Sequence, residues 1–315
     1  MITQNRRAHG RDLVHRWEGN PLISIQDIDF RCSDIRNATV VKTSDEVLLL
    51  VDIEHLAGNH CIHLARQQKN KRFFVEEEPV MCPSNDPRYS KHESHGIMDP
   101  RVTFLDDTYY IMYVANGDHG FRIGLAKTKD FRSVERIGII SEPDTKGGAL
   151  FSSKINGKYA RLERPREGNS IWISYSDDLI HWGENQSVLS PRDGFWDLNR
   201  VGIGPPPIEI NIGWLIIYSG VKITSAGPLY RLGAVIVDKK DPTKILGRSN
   251  IPILSPRENY ERLGDTPNIV FATGALIDKN DSLEIYYGAA DSCICVGSAN
   301  IQEIQNNCLN RRKVC

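Results

Sequence analysis

The sequence predicts an all-β chain folded as a five-bladed β-propeller, and three observations carry that expectation. Helical periodicity is scarce, and short apolar runs are broken instead by Gly, Asn, Asp and Pro, as in all-β folds. One unit recurs in five copies: a short apolar strand, a polar turn, then a strand dense in aliphatic and aromatic residues. The copies lie roughly 50 to 70 residues apart, about the length of a four-stranded blade with generous loops. A β-sandwich of irregular hairpins is the competing architecture, and the similarity of the hairpins favours the ring.

Taken in order, the N-terminal stretch "MITQNRRAHGRDLVHRW" is polar and basic and lacks the apolar centre of a secretory signal. The first copy, "NATVVKTSDEVLLLVDIE", begins at Asn37, and the second, "DPRVTFLDDTYYIMYVA", at Asp99. The third, "ALFSSKINGKYARLERP", ends at Arg164 and Pro165; the fourth is "GPPPIEINIGWLIIYSGV", and the fifth, "ATGALIDKNDSLEIYYGAAD", ends at Asp291. Runs such as "FRIGLAKTKDF" and "SIWISYSDDLIHW" supply outer strands. The proline-rich "GPPPI" belongs to a repeat and is no linker, so residues 1–315 read as one propeller domain. Residues 1 to about 30 and about 298 to 315 are expected as extensions packed on it, the last as a short helix on the outside or at a subunit contact of a homo-oligomer.

Composition narrows the function. Hydrophobic residues make up 40% and charged residues 25%, ordinary for a globular protein. With 39 basic and 40 acidic residues the net charge is -1, which argues against nucleic-acid or anionic-membrane partners. No stretch approaches the roughly 18 to 20 apolar residues of a membrane helix. Seven cysteines are an odd count in a chain too large to depend on disulfides, so a reducing cytoplasm is the simplest compartment. Cys293/Cys295 and Cys308/Cys315 lack zinc-site spacing. His60/His63 and His92/His95 read as loop histidines that rim a pocket or are simply exposed, so no metal is expected. The charged "QQKNKR" around Lys69 reads as a solvated turn.

In a propeller the inner strands line a central channel, so strand ends of distant repeats converge on one face. Asn37, Asp99, Arg101, Arg164 and Asp291 all sit at such ends. Carboxylates, guanidinium groups and an amide brought to one polar pocket suit a hydroxyl-rich ligand.

Six stretches in fixed order resemble glycoside hydrolase family 130, the β-mannoside phosphorylases and related β-mannosidases. They are "DPRVTFLDDTYYIMY", "KINGKYARLERP", "IWISYSDDLIHWG", "GIGPPPIE", "YRLGAVIVDKKDPTKILGRS" and "VFATGALI" with "LEIYYGAAD". The family fold is a five-bladed propeller. The resemblance implies that Asp99 is the general acid of an inverting reaction, its proton relayed through a mannose hydroxyl. It places phosphate binding at Asn37, Lys146, Arg164 and Ser219, and sugar binding at Asp52, Arg101, Tyr230, Arg231 and Asp291. Inorganic phosphate is then a co-substrate, with no other cofactor, and the partner is a β-mannoside oligosaccharide. Such an acid needs a raised pKa, and phosphate needs cationic and amide donors opposite it. The loop "CPSNDPRYSKHESHG" before Asp99 is expected to shape the acceptor subsite.

Four positions depart from the phosphorylase pattern. Ser219 stands where a phosphate-binding histidine is usual, offering a hydrogen bond but no charge. "TKGG" leaves only Lys146 of an Asn-Lys/Arg-Asp motif, Asp52 stands for an arginine, and Met98 for an acid. A β-mannosidase using water, with Asp52, Glu54, Glu163 or Glu209 as base, is the alternative. A non-catalytic sugar-binding propeller is the third reading, which the retained Asp99 and Asp291 oppose.

Overall fold

A computed structural model describes residues 12–44, 46–68, 72–278 and 280–310. The strands form five antiparallel blades. Blade 1 comprises Asp34–Lys42, Val47–Glu54, His60–Gln67 and Phe73–Val75, and blade 2 comprises Gly96–Leu105, Thr108–Gly117, Gly120–Thr128 and Val134–Ile139. Blade 3 runs through Thr145–Leu150, Tyr159–Pro165, Ile171–Ser176 and Gly183–Leu189. Blade 4 is built from Arg200–Ile203, Gly213–Thr224, Gly227–Val237 and Ile245–Arg248. Blade 5 has Val270–Ile277, Ser282–Ala289 and Cys293–Asn300, and its outer edge is completed by His15–Arg16 and Ile23–Ser24 from the other end of the chain. Each sequence repeat is the inner hairpin of one blade.

The hairpin turns follow local chemistry. Asp106–Asp107 and Asn156–Gly157 hold positive φ at both central positions, the turn whose twist matches a two-residue hairpin. The inner strand of blade 4 is interrupted at Gly204–Pro207, because prolines cannot donate to a ladder; Ile208–Ile210 then resumes the pairing.

Apolar side chains project from both faces of a blade, so the core is divided among the gaps between blades. Val41, Leu50 and Ile62 of blade 1 meet Ile97, Ile111 and Tyr113 of blade 2. Met112 and Leu125 of blade 2 meet Leu150 of blade 3. Leu162 and Ile173 of blade 3 meet Trp214 and Ile216 of blade 4, and Leu215 and Ile217 on the opposite face meet Val270 and Ile285 of blade 5. Ile35 and Val51 of blade 1 pack on Tyr286 and Val296 of blade 5, which closes the ring. The period-two alternation of Trp214 to Ile217 between two cores is why these strands read as continuous apolar runs.

The tail forms a helix at Ile301–Leu309 on blades 4 and 5, capped by Asn300, whose side chain accepts from the N–H groups of Gln302 and Glu303 at 2.9 and 3.2 Å. Residues 1–11, the turn residue Lys69, and the 311–315 tail with Cys315 lie outside the described residues. Cys61 and Cys82 are joined as a disulfide, with Cα atoms 4.6 Å apart. The bond runs against the reducing compartment inferred from the cysteine count, since cytosolic disulfides are rare. His60 and His63 are also not loop residues: both are buried on a blade 1 strand, at 6% and 0% exposure. No described helix is long and apolar enough to cross a membrane.

Candidate active site

The inner strands carry most of the candidate residues, and four of the five break register, three of them where a candidate residue stands. The ladder slips between Ile35 and Ala38, Met98 and Arg101, Thr145 and Gly148, and Ala272 and Gly274. These bulges release Arg36 with Asn37, Asp99 with Pro100, Lys146 with Gly147, and Thr273 from regular pairing. A bulge re-aims side chains that would otherwise alternate between the inter-blade cores. Asp99, at φ 54°, and Asp291, at φ 52°, occupy the left-handed region, a strain that clusters at functional sites.

Of the released side chains, those of Arg36, Asn37, Asp99 and Lys146 meet in a cavity of about 460 Å³. Asp99, Asn37, Lys146, Arg164, Ser219, Asp52, Arg101, Tyr230 and Asp291 all line it. Arg231 does not: beside Tyr230 on the same strand it faces the other way, near Arg257 and Asp12, as strand alternation dictates. The loop "CPSNDPRYSKHESHG" contributes no described residue to the lining. Its fully buried Glu93 ties it to blade 2, accepting from the Ser84 N–H at 2.8 Å, the Tyr113 hydroxyl at 2.7 Å and Arg136 at 3.0 Å.

Asp99 is 6% exposed, and its Oδ1 accepts from Asn37 Nδ2 at 2.6 Å. The Asn37 Oδ1 is buried without a partner, an acceptor left for a hydroxyl or another donor. Gly288 makes room for Asn37, since a Cβ there would lie 2.4 Å from that oxygen. Ser219 sits behind Gly202, whose missing side chain leaves Oγ its space.

Two expected sugar ligands are committed to the protein itself. Arg101 spans the central channel from blade 2 to blade 4, donating to the carbonyls of Gly204 at 2.7 Å, Ile203 at 2.9 Å and Asp99 at 3.0 Å. It forms the cavity floor, and burial lowers its pKa to about 10 against the pull of Asp99. Asp52 is fully buried; its Oδ2 accepts the Asp99 backbone N–H at 3.2 Å and its Oδ1 faces His60 Nδ1 at 2.7 Å.

Other lining residues escaped the sequence reading. Arg36, Arg166 and Arg200 join Lys146 and Arg164, with Phe121, Asp144, Asn169 and Phe271. "RLERPR" and "LNRVGIGP" carried the signal, since alternation along the blade 3 strand and its exit turn gives Arg164 and Arg166 one face, and Arg200 opens an inner strand. Arg36 is ion-paired with Glu54. Among the described residues Lys146, Arg164, Arg166 and Arg200 have no carboxylate within ion-pair distance, so their charge faces the cavity. Lys146 lies 4.9 Å from the Phe121 ring centre, and Arg200 donates to the Tyr230 hydroxyl. Burial beside Arg200 lowers the Arg164 pKa to about 10.

Candidate bases for water become fewer. Glu163 is buried against Arg161 at 2.6 Å, Glu209 pairs with Lys239, and Glu54 pairs with Arg36; none lines the cavity. Asp99 also departs from the raised pKa expected of an acid. Burial raises it, but Lys146, Arg101, the Asn37 amide and His60 outweigh burial and hold it below the ordinary carboxylate value. Burial, reinforced by Asp99, instead raises Asp291. No group of three His, Cys, Asp or Glu side chains gathers as a metal site among the described residues.

A family model for glycoside hydrolase family 130, described as beta-1,4-mannooligosaccharide phosphorylase, matches residues 4–310. The chain is 39% identical to a 1,2-beta-oligomannan phosphorylase of Thermoanaerobacter sp. over 74% of this chain and 76% of the relative. It is 38% identical to a beta-1,2-mannobiose phosphorylase of the same organism, over 92% of this chain and 98% of the relative. The solved beta-1,2-mannobiose phosphorylase of Listeria innocua, in complex with beta-1,2-mannobiose, superposes with a TM-score of 0.84 at 31% identity, covering 94% of this chain and 99% of that one.

Proposed function

The chain belongs to glycoside hydrolase family 130, and from that premise we propose that it is an inverting β-mannoside phosphorylase with a preference for β-1,2 linkages. The observation that carries the reading is the cluster of Lys146, Arg164, Arg166 and Arg200, unpaired with carboxylates among the described residues and lining the cavity that holds Asp99. Such a cluster suits a phosphate anion, which forms strong charge-assisted bonds with guanidinium and ammonium groups. Arg200 and Arg166 offset the charge lost where Ser219 replaces a histidine. A hydrolase has no use for this excess of cations, and three of its candidate bases are tied up in ion pairs. The β-1,2 preference rests on the relatives at 38–39% identity, against 28% for a beta-1,4-mannooligosaccharide phosphorylase of Ruminococcus albus.

In the reaction, a phosphate oxygen attacks the anomeric carbon from the face opposite the leaving group. The bond from that carbon to the glycosidic oxygen breaks as the carbon–phosphate-oxygen bond forms. The proton of Asp99 passes to the departing oxygen through a mannose hydroxyl, and inversion yields α-mannose 1-phosphate. Asn37 orients the acid, and Asp291 and the free Asn37 oxygen accept from sugar hydroxyls. Before phosphate binds, the cations keep Asp99 ionised. Bound phosphate cancels their field, so the acid takes up its proton as the co-substrate enters.

The test incubates the protein with β-1,2- and β-1,4-mannobiose, with and without inorganic phosphate, and assays mannose 1-phosphate and mannose. Phosphate-dependent mannose 1-phosphate, faster from the β-1,2 disaccharide, is expected. Free mannose released equally fast without phosphate would make the protein a mannosidase, and faster β-1,4 cleavage would reverse the linkage preference.

A further inference from the structure

The wall behind Asp99 holds two polar groups that the bond-breaking step leaves unused. Asp52 lies on the second strand of blade 1 and His60 on the third, beside the parallel pairing of His60 with Gly96 that joins blades 1 and 2. Gly96 leaves no room for a side chain there: a Cβ would lie 2.5 Å from the His60 nitrogen, so the two blades meet backbone to backbone. Asp99 follows three residues later, at the bulge between Met98 and Arg101 and with φ 54°. Its N–H therefore drops out of the regular ladder while its backbone sits in a disfavoured region. Asp52 supplies the missing acceptor through Oδ2 at 3.2 Å, and His60 Nδ1 holds the other oxygen at 2.7 Å.

We propose that Asp52 is a positioning residue for Asp99, anchoring the backbone from which the acid projects, and that His60 orients the Asp52 carboxylate. The inference rests on the reading of Asp99 as the acid. A buried N–H without a partner is costly, and a bulge without an anchor can relax to another conformation. Both oxygens of Asp52 are engaged inside the wall, so the residue acts through Asp99 and not on the sugar.

The experiment compares Asp52→Asn, Asp52→Leu and His60→Gln in the full chain. Asparagine keeps an oxygen for the Asp99 N–H and turns its amide to the His60 ring, whereas leucine has similar bulk and no acceptor. Amide exchange at Asp99, read by ¹⁵N NMR, is expected to quicken at least tenfold in Asp52→Leu and to stay near wild type in Asp52→Asn. In β-mannobiose cleavage Asp52→Leu loses about hundredfold in kcat, the effect of a small misplacement of a catalytic group. Its KM values stay within threefold, and Asp52→Asn recovers most of the rate. His60→Gln falls between the two. Unchanged exchange at Asp99 in the leucine variant overturns the inference, as does a loss confined to the mannoside KM or an asparagine variant no better than leucine. The exchange measurement needs no turnover. A wild type that hydrolyses without phosphate removes the phosphorylase reading and leaves this result standing or falling by itself.

Discussion

Replacing Asp99 by Asn tests the acid while leaving its surroundings almost intact. Asparagine tolerates the left-handed backbone at φ 54° better than most residues, so the bulge has no reason to move. It keeps an oxygen to accept from Asn37, in place of the present 2.6 Å bond, and it removes a buried charge. The melting temperature should therefore stay within a few degrees of wild type. Activity should not survive. Positioned proton transfer contributes about 10²- to 10⁴-fold in rate, which corresponds to about 2.7–5.5 kcal/mol of transition-state stabilisation at about 1.36 kcal/mol per factor of ten. The assay is phosphorolysis of β-1,2-mannobiose beside that of an aryl β-mannoside whose leaving group departs without a proton. The variant should lose the full factor on the disaccharide and much less on the aryl substrate. Residual disaccharide turnover above a tenth of wild type, or equal losses on both substrates, would refute Asp99 as the acid.

Three further outcomes follow from the same geometry. Arg200→Met removes a guanidinium that bonds Tyr230 and lines the cavity, and should raise the phosphate KM about tenfold to hundredfold, the range of a charge-assisted bond, with the mannoside KM nearly unchanged. Because Asp99 lies below its ordinary pKa, it is ionised at pH 6 to 7 before phosphate binds. Isothermal calorimetry in buffers of different ionisation enthalpy should then show greater proton uptake on phosphate binding in wild type than in Asp99→Asn, and equal uptake would separate the two events. Arg101→Leu orphans the three carbonyls it now binds, at about 1–3 kcal/mol each; it should lower the melting temperature by many degrees and abolish activity, and Arg101→Lys, with one ammonium for three acceptors, should rescue little.

The ring was legible because its cause is local. Both faces of each blade are buried between neighbours, so inner strands must be apolar throughout, and the turn residues between them recur at blade spacing. Arg164 and Asp291 were legible for a related reason: they stand at or just past strand ends, where a propeller turns side chains into its channel. Asn37 and Asp99 lie within strands and reach the cavity through bulges, and Lys146 was indicated only by the family resemblance. Arg231 was misread because being next in sequence to Tyr230 puts a strand residue on the opposite face.

The amino-acid sequence by itself determined five hairpins, their order and a polar convergence at their ends, since repeat length, alternation and turn chemistry act between near neighbours in the chain. Only the tertiary structure decided what each polar group does there. Arg101 and Asp52 read alike as cavity ligands, yet one reaches carbonyls of blade 4 across the axis and the other holds the backbone of blade 2. Hydrogen-bond partners 47 to 103 positions away settle those roles, and no local pattern encodes a distance across the ring.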